Sequence, residues 1–340
     1  MGSFSGDRVW VSARTCCALP KNVAWYVAET LGSYTNPVYS EYFADPFVLR
    51  HEGAYYAYGT VPVAGRTVPA LRSGDLVEWE PIGDVLEPLD GRGLIYWAPE
   101  VAPGDDGRFY LYYSAGGEEG EGHRLRVAVG ERPEGPFVDE GVELDSDPFS
   151  IDPHPFRDDD GSWYLFFCRD FLDGERVGTG IVVDRLTTMT SLAGDVRTAL
   201  RPFAEWNLYE SQRRWYDRTW DWYTVEAPFV RKAGGLYHLF FSGGAWRAVG
   251  YGVSYATAAH PLGPWEVRPD EEPTILRTVP ERVLGPGHAS IVAAPHGGDA
   301  IVYHAWDPAA TARLMRVDRL EWTEEGPRCD GPSVDPRPLP

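Results

Sequence analysis

Short apolar runs and polar turns alternate along most of this chain, at a spacing that suits strands rather than helices. One grammar recurs: an apolar strand, a turn containing glycine, then a strand dense in aromatic residues. Asp45 opens DPFVLRHEGAYYAYG, Asp152 opens DPHPFRDDDGSWYLFF and Glu226 opens EAPFVRKAGGLYHLFF. Another copy begins at Trp97-Ala98-Pro99, turns at Gly107 and ends in FYLYYS; the last begins at His288 and ends in AIVYHAW. The copies start at 45, 97, 152, 226 and 288, so the repeat is 52 to 74 residues long. A period of that size predicts a propeller whose blades are four-stranded sheets. Period-2 alternation is weak within the strands, as expected if both faces pack between blades.

The outer half of the unit recurs too. RVAVGERPEGPF (126–137) and GVSYATAAHPLGPW (252–265) both read as strand, polar turn, then Gly-Pro-aromatic. The pattern therefore predicts an all-β chain: a five-bladed β-propeller over residues 39–335 with a central funnel. Residues 1–38 precede it as an arm or a partial closing strand. The tail at 312–332 reads as a final strand pair that closes the ring. The longest gap between copies holds PFAEWNLYESQRRWYDRTWDWYTV (202–225), with Trp206, Trp215, Trp220 and Trp222. An insertion this long in a compact domain is commonly functional, and Trp222 is assigned to substrate binding.

Composition narrows the partners. Lys and Arg number 31 against 51 Asp and Glu, a net charge of −20. That balance repels phosphate backbones and anionic lipid, which argues against nucleic-acid and membrane binding. The chain has 13 Trp and 19 Tyr, residues that build strand cores and also stack on sugar faces. Its four cysteines include no CxxC, so a zinc site is not indicated. No basic segment followed by an apolar run opens the chain, which predicts a cytoplasmic location with free thiols.

Equivalent positions of a radial repeat fall on one ring, so acids far apart in sequence converge. Two carboxyls across a scissile bond are the minimum for glycoside hydrolysis, one donating a proton and the other activating water. Asp45 and Glu226 are the outer pair by blade order, and a third carboxylate beside the acid raises its proton affinity. This order assigns Asp45 as base, Glu226 as acid and Asp152 as its tuner. His288 opens the fifth copy and should face the funnel.

These segments resemble glycoside hydrolase family 43. The resemblance is carried by YFADPFV around Asp45, YWAPEV around Trp97, SIDPHPF around Asp152, VEAPFV around Glu226, GPGHASIV around His288 and YHAWD at 303–307. It spans about residues 40 to 330 and implies a five-bladed propeller and inverting hydrolysis by the same three acids. It further implies that Arg313 orients the sugar, that Trp97 walls the pocket, and that His288 contributes to a structural calcium. No cofactor is required. The implied substrate is an oligosaccharide from plant cell walls, with α-L-arabinofuranosyl favoured over β-D-xylosyl and endo-arabinan linkages. Many members have Glu-Gly-Pro at the acid, where this chain has Glu226-Ala227-Pro228. Three rivals remain: a non-catalytic sugar-binding propeller, which has no need of three acids, a phosphorylase, whose phosphate pocket would draw on Arg213, Arg214 and Arg218, and a protein-interaction propeller.

Overall fold

A computed structural model of the chain describes residues 1, 32–63, 65–89, 93–117, 122–268 and 270–340. Most of the predicted arm, with Cys16 and Cys17, lies outside the described residues. Five antiparallel units follow one another in chain order. Blade I comprises Ala44–His51, Ala54–Thr60, Pro69–Ser73 and Trp79–Asp84. Blade II comprises Ile95–Pro103, Phe109–Gly116, Arg124–Gly130 and Val138–Glu143. Blade III is built on Ser150–Arg157, Trp163–Phe171 and Gly178–Thr188, blade IV on Arg218–Ala233, Leu236–Gly243, Gly252–Ala258 and Glu266–Val267. Blade V comprises Leu284–Ala293, Asp299–Trp306, Arg313–Thr323 and Gly326–Cys329. The first strand of each blade lies against the first strand of the next, and that of blade V returns to that of blade I. The fold is the predicted five-bladed propeller, and none of the described helices is long and apolar enough to cross a membrane.

The core is divided among the blade interfaces rather than gathered at one centre. Tyr58, Leu111 and Phe137 pack between blades I and II. Tyr112, Leu165 and Phe167 fill the next interface, and Phe166, Leu239 and Phe241 the one after. Phe240, Ile301 and Tyr303 lie between IV and V, and Phe43, Leu71 and Val317 between V and I. A strand buried on both faces reads as a continuous apolar run, which is why Ala54–Thr60 and Phe109–Gly116 are buried at every residue and show little alternation.

Two described segments far apart in sequence meet beside blade V. Ser33–Tyr34 pairs antiparallel with Arg337–Pro338. The buried Asn36 side chain donates to Val317 O at 2.8 Å and accepts from Val317 N at 3.0 Å, and Phe43 N donates to Arg313 O. The insertion at 202–225 is not a loop. Its second half extends the first strand of blade IV, and Leu208–Trp215 folds back on it as a hairpin. Gly178 and Thr179 pair in parallel with Tyr223 and Thr224, joining blades III and IV into one sheet.

Every first strand carries an extra residue near its start. The register shifts at Ala44/Phe47, Trp97/Glu100, Ile151/His154, Glu226/Phe229 and Gly287/Ser290. The residues inside these bulges, Asp45, Ala98, Asp152, Ala227 and His288, all have φ between 47° and 55°. A bulge frees backbone N–H groups from the ladder and re-aims side chains. Here the freed N–H passes to the preceding blade: Ala98 N to Thr60 Oγ1 at 2.9 Å, Ala227 N to Asp152 Oδ2 at 3.0 Å, His288 N to Ser242 Oγ at 2.8 Å and Asp45 N to His304 Nδ1 at 3.1 Å. Thr60→Val keeps the shape and removes one acceptor. Leaving a buried N–H unpaired should cost about 1–3 kcal/mol, read as a lower urea midpoint with unchanged slope; an unchanged midpoint would show that this bond does not hold the ring.

Candidate active site

The bulges decide which side chains reach the funnel, and they correct one expectation. Asp45 and Asp152 occupy the same bulge position, but Glu226 stands one residue earlier, at the register of Ala44, Trp97 and Ile151. Ala227 takes the bulge position in blade IV. The three acids are therefore not in one register, although they do converge. The strand pattern aligned Glu226 with Asp45 because both precede a Pro-Phe-Val run; the alanine between Glu226 and Pro228 is the offset. Aspartate tolerates a positive φ better than most side chains, which suits it to the bulge.

Asp45 is buried, and three partners surround it. Arg313 Nη1 donates to Asp45 Oδ1 at 3.0 Å, His288 Nδ1 lies 3.4 Å from the same oxygen, and His304 Nδ1 lies 3.3 Å from it. Burial opposes ionisation, but the Arg313 guanidinium, with His288, holds the carboxyl well below the usual carboxylate range. His304 Nδ1 accepts the Asp45 N–H, which places its proton on Nε2, and burial takes its pKa down to about 4. Arg313 is itself fixed from outside: Nε donates to Tyr42 Oη at 2.8 Å, and its guanidinium lies 4.5 Å from the Trp246 ring centre.

Glu226 has the opposite environment. Burial, resisted by a 2.7 Å hydrogen bond from Tyr251 Oη, pushes its pKa up to about 7, with the Asp45 charge adding to the rise and Arg313 and Arg213 opposing it. Asp152 is also pushed well up, first by burial and then by the negative charges of Glu226 and Asp45. Two buried carboxyls that repel one another retain a proton between them near neutrality. The rings of His304 and Tyr251 stack with centroids 6.1 Å apart and an angle of 11°. His304 holds Asp45 and Tyr251 holds Glu226, so this stack ties the two ends of the site together. Gly287 permits it: a Cβ there would meet the Tyr251 ring at 2.0 Å.

The remaining assigned residues divide. Arg313 and His288 lie in the site, and Trp97 shares the register of Glu226 with one face stacked on His123 at 3.7 Å. Trp222 does not offer a sugar face: it is 1% exposed, covered by Tyr216 and by the Arg213 guanidinium. Strand alternation in the inserted hairpin turned it inward. The calcium expected at His288 finds no cage of side chains. Among the described residues no group of three or more His, Cys, Asp or Glu side chains is placed to hold a metal, and the carboxylate nearest His288 already carries Arg313. Calcium prefers six to eight oxygen ligands, so no step below uses it. Tyr42, Trp246, Tyr251 and His304 were missed by sequence reasoning. His304 sits in the YHAWD segment and Gly287 in GPGHASIV; Tyr251 and Trp246 lie in loop-like stretches with no distinguishing pattern.

Comparison with known proteins shows the family. The model of glycosyl hydrolases family 43 matches residues 34–327, and the chain belongs to that family of glycoside hydrolases. A thermostable family-43 glycoside hydrolase of known structure superposes with a TM-score of 0.79 at 31% identity, over 90% of this chain and 99% of that one. The β-D-galactofuranosidase xynD of Aspergillus niger is 28% identical over 316 residues, covering 86% of this chain and 83% of its own. The extracellular exo-α-(1→5)-L-arabinofuranosidase ArbA of Cellvibrio japonicus is 26% identical over 325 residues, covering 86% and 87%.

Tyr251→Phe removes a hydrogen bond that favours ionised Glu226. The Glu226 midpoint should then move upward by roughly one pH unit, measured by carbon NMR of the labelled carboxyl. A downward move would contradict the site's electrostatics.

Proposed function

We propose that the chain is an exo-acting, inverting hydrolase that removes α-L-arabinofuranosyl residues from plant-cell-wall-derived oligosaccharides. The observation that carries this reading is the contrast between two buried carboxyls in one funnel, Asp45 kept ionised beside Arg313 and Glu226 kept protonated up to about pH 7. Asp45 accepts a proton from a water as that water attacks the anomeric carbon. The bond from that carbon to the glycosidic oxygen breaks, and the oxygen takes the proton of Glu226. Asp152 sustains the proton on Glu226 by repulsion, Arg313 keeps Asp45 a base, and His304 holds the Asp45 backbone N–H in place. Trp97 and Trp246 supply aromatic surface for the sugar, and the hairpin at Leu208–Trp215 stands on the Glu226 side, which favours a pocket over an open groove.

A second reading, a galactofuranosidase, is favoured by the Aspergillus niger relative. An α-L-arabinofuranosyl ring has the ring configuration of β-D-galactofuranose and lacks only one exocyclic hydroxymethyl group, so a pocket for one needs little change to admit the other. Nitrophenyl α-L-arabinofuranoside, β-D-galactofuranoside and β-D-xylopyranoside assayed side by side should show the first turned over fastest. Preference for either of the others reassigns the sugar.

Activity should need Asp45 ionised and Glu226 protonated. It should fall as pH rises through about 7, where Glu226 loses its proton, and on the acid side only well below pH 3.8, the ordinary value for Asp45. A kcat/KM that rises between pH 7 and 9 would reverse the assignment. Asp45→Asn suits the positive φ and should lower kcat by roughly 10²–10⁴-fold on every substrate. Glu226→Gln should do the same on alkyl glycosides and oligosaccharides while sparing nitrophenyl substrates, whose leaving group needs little protonation; equal losses on both would remove Glu226 from the acid role.

A further inference from the structure

The inserted hairpin brings a cation to the acid side of the funnel that touches none of the three acids, although its charge opposes the rise in Glu226. Arg213 is half-buried, and its guanidinium lies 4.9 Å from the Tyr209 ring centre, 4.7 Å from Trp215 and 5.3 Å from Trp222. These rings fix the group without neutralising it. Among the described residues no carboxylate lies within 4.0 Å of it and no protein acceptor takes its N–H groups. Its base is anchored: Trp215 Nε1 and Tyr216 Oη both donate to Asp170 of blade III, at 3.3 and 2.9 Å. Next along the rim, the exposed Arg247 lies 4.4 Å from the Trp246 ring centre and is likewise without a carboxylate partner. Tyr209 lies between the two cations and beside Trp246, within Coulombic range of Glu226.

Unpaired arginines also stand elsewhere on the surface. These two differ in place, because they stand beside a site in which, among the described residues, the third guanidinium, Arg313, is spent on Asp45. Arg213 differs in fixation too, since three aromatic rings surround its guanidinium. Arg213 stands on the side of Glu226, which protonates the departing oxygen, and Asp45, the base, is enclosed by Arg313, His288 and His304. A group meeting Arg213 therefore belongs to the leaving half of the substrate.

We propose that Arg213 and Arg247 form a subsite for a carboxylate on the leaving group, so that the preferred substrate is an acidic oligosaccharide bearing a uronic acid beside the scissile bond. This rests on the hydrolase reading above and specifies its substrate class. A guanidinium recognises a carboxylate through paired, charge-assisted hydrogen bonds. The net charge of −20 repels such a substrate at a distance, so any preference must arise from these local cations.

The test compares kcat/KM on two xylo-oligosaccharides carrying one arabinofuranosyl branch, with and without a neighbouring glucuronic acid, with nitrophenyl arabinofuranoside as reference. Wild type should favour the acidic one. Arg213→Gln and Arg247→Gln should each lower the acidic-to-neutral ratio, roughly tenfold for Arg213, and Arg213→Lys should restore part of it. Circular dichroism of each variant separates this from a displaced hairpin, which would depress both oligosaccharides together and leave the ratio intact. Equal rates on the two oligosaccharides in wild type, or a ratio unchanged in both glutamine variants, overturns the subsite and leaves the hydrolase reading standing. Failure to cleave any nitrophenyl glycoside overturns that reading and the subsite with it.

Discussion

The structure depends on a bulge that recurs at the start of each blade's first strand. One extra residue there takes a left-handed conformation in all five blades, and its N–H, lost to the sheet, is accepted in four of them by a side chain of the blade before. Hydrophobic packing between blades is strong but non-directional. These buried hydrogen bonds are directional, and they set the rotation of each blade about the funnel. Three of the acceptors, Thr60, Ser242 and His304, hold the same place in their blades, opposite the residue before the bulge. The fourth, Asp152, is itself a bulge residue, so an acid of the site also serves as a tie of the ring.

The same device creates the chemistry. Bulging turns Asp45 and Asp152 toward the funnel, where burial would normally neutralise both. Their different states follow from their neighbours: Asp45 faces blade V, which supplies Arg313 and two imidazoles, and Asp152 faces Glu226 across blades III and IV. The field across the funnel thus runs from a cation-supported carboxylate to a pair of carboxyls that share a proton. The His304–Tyr251 stack lies between these ends and fixes their distance without joining them chemically.

The inserted hairpin belongs to this arrangement rather than decorating it. Its strand continues into the strand that carries Glu226, so hairpin and acid move as one element. Its aromatic residues mostly pack against each other and against Arg213, and Trp222 is sunk beneath that layer. Two of its four tryptophans, Trp215 and Trp222, close around Arg213.

Much of this was legible in the chain. Period, glycine turns and aromatic strands determined five blades and their order, because each blade is a local unit of consecutive strands. Clustered motifs at blade starts determined that Asp45, Asp152 and Glu226 meet, because a radial repeat brings like positions together. The offset of Glu226 from the bulge was present in Glu226-Ala227-Pro228, but it has meaning only once pairing shows which residue is extra. Tertiary structure alone decided the rest. Tyr251, Trp246 and Tyr42 reach the site from connecting segments without periodicity, Trp222 was turned inward by the register of a hairpin, and the proton affinities of three acids were set by distances to groups as far as 268 residues away. A local pattern records how a segment folds; charge states depend on what folds against it.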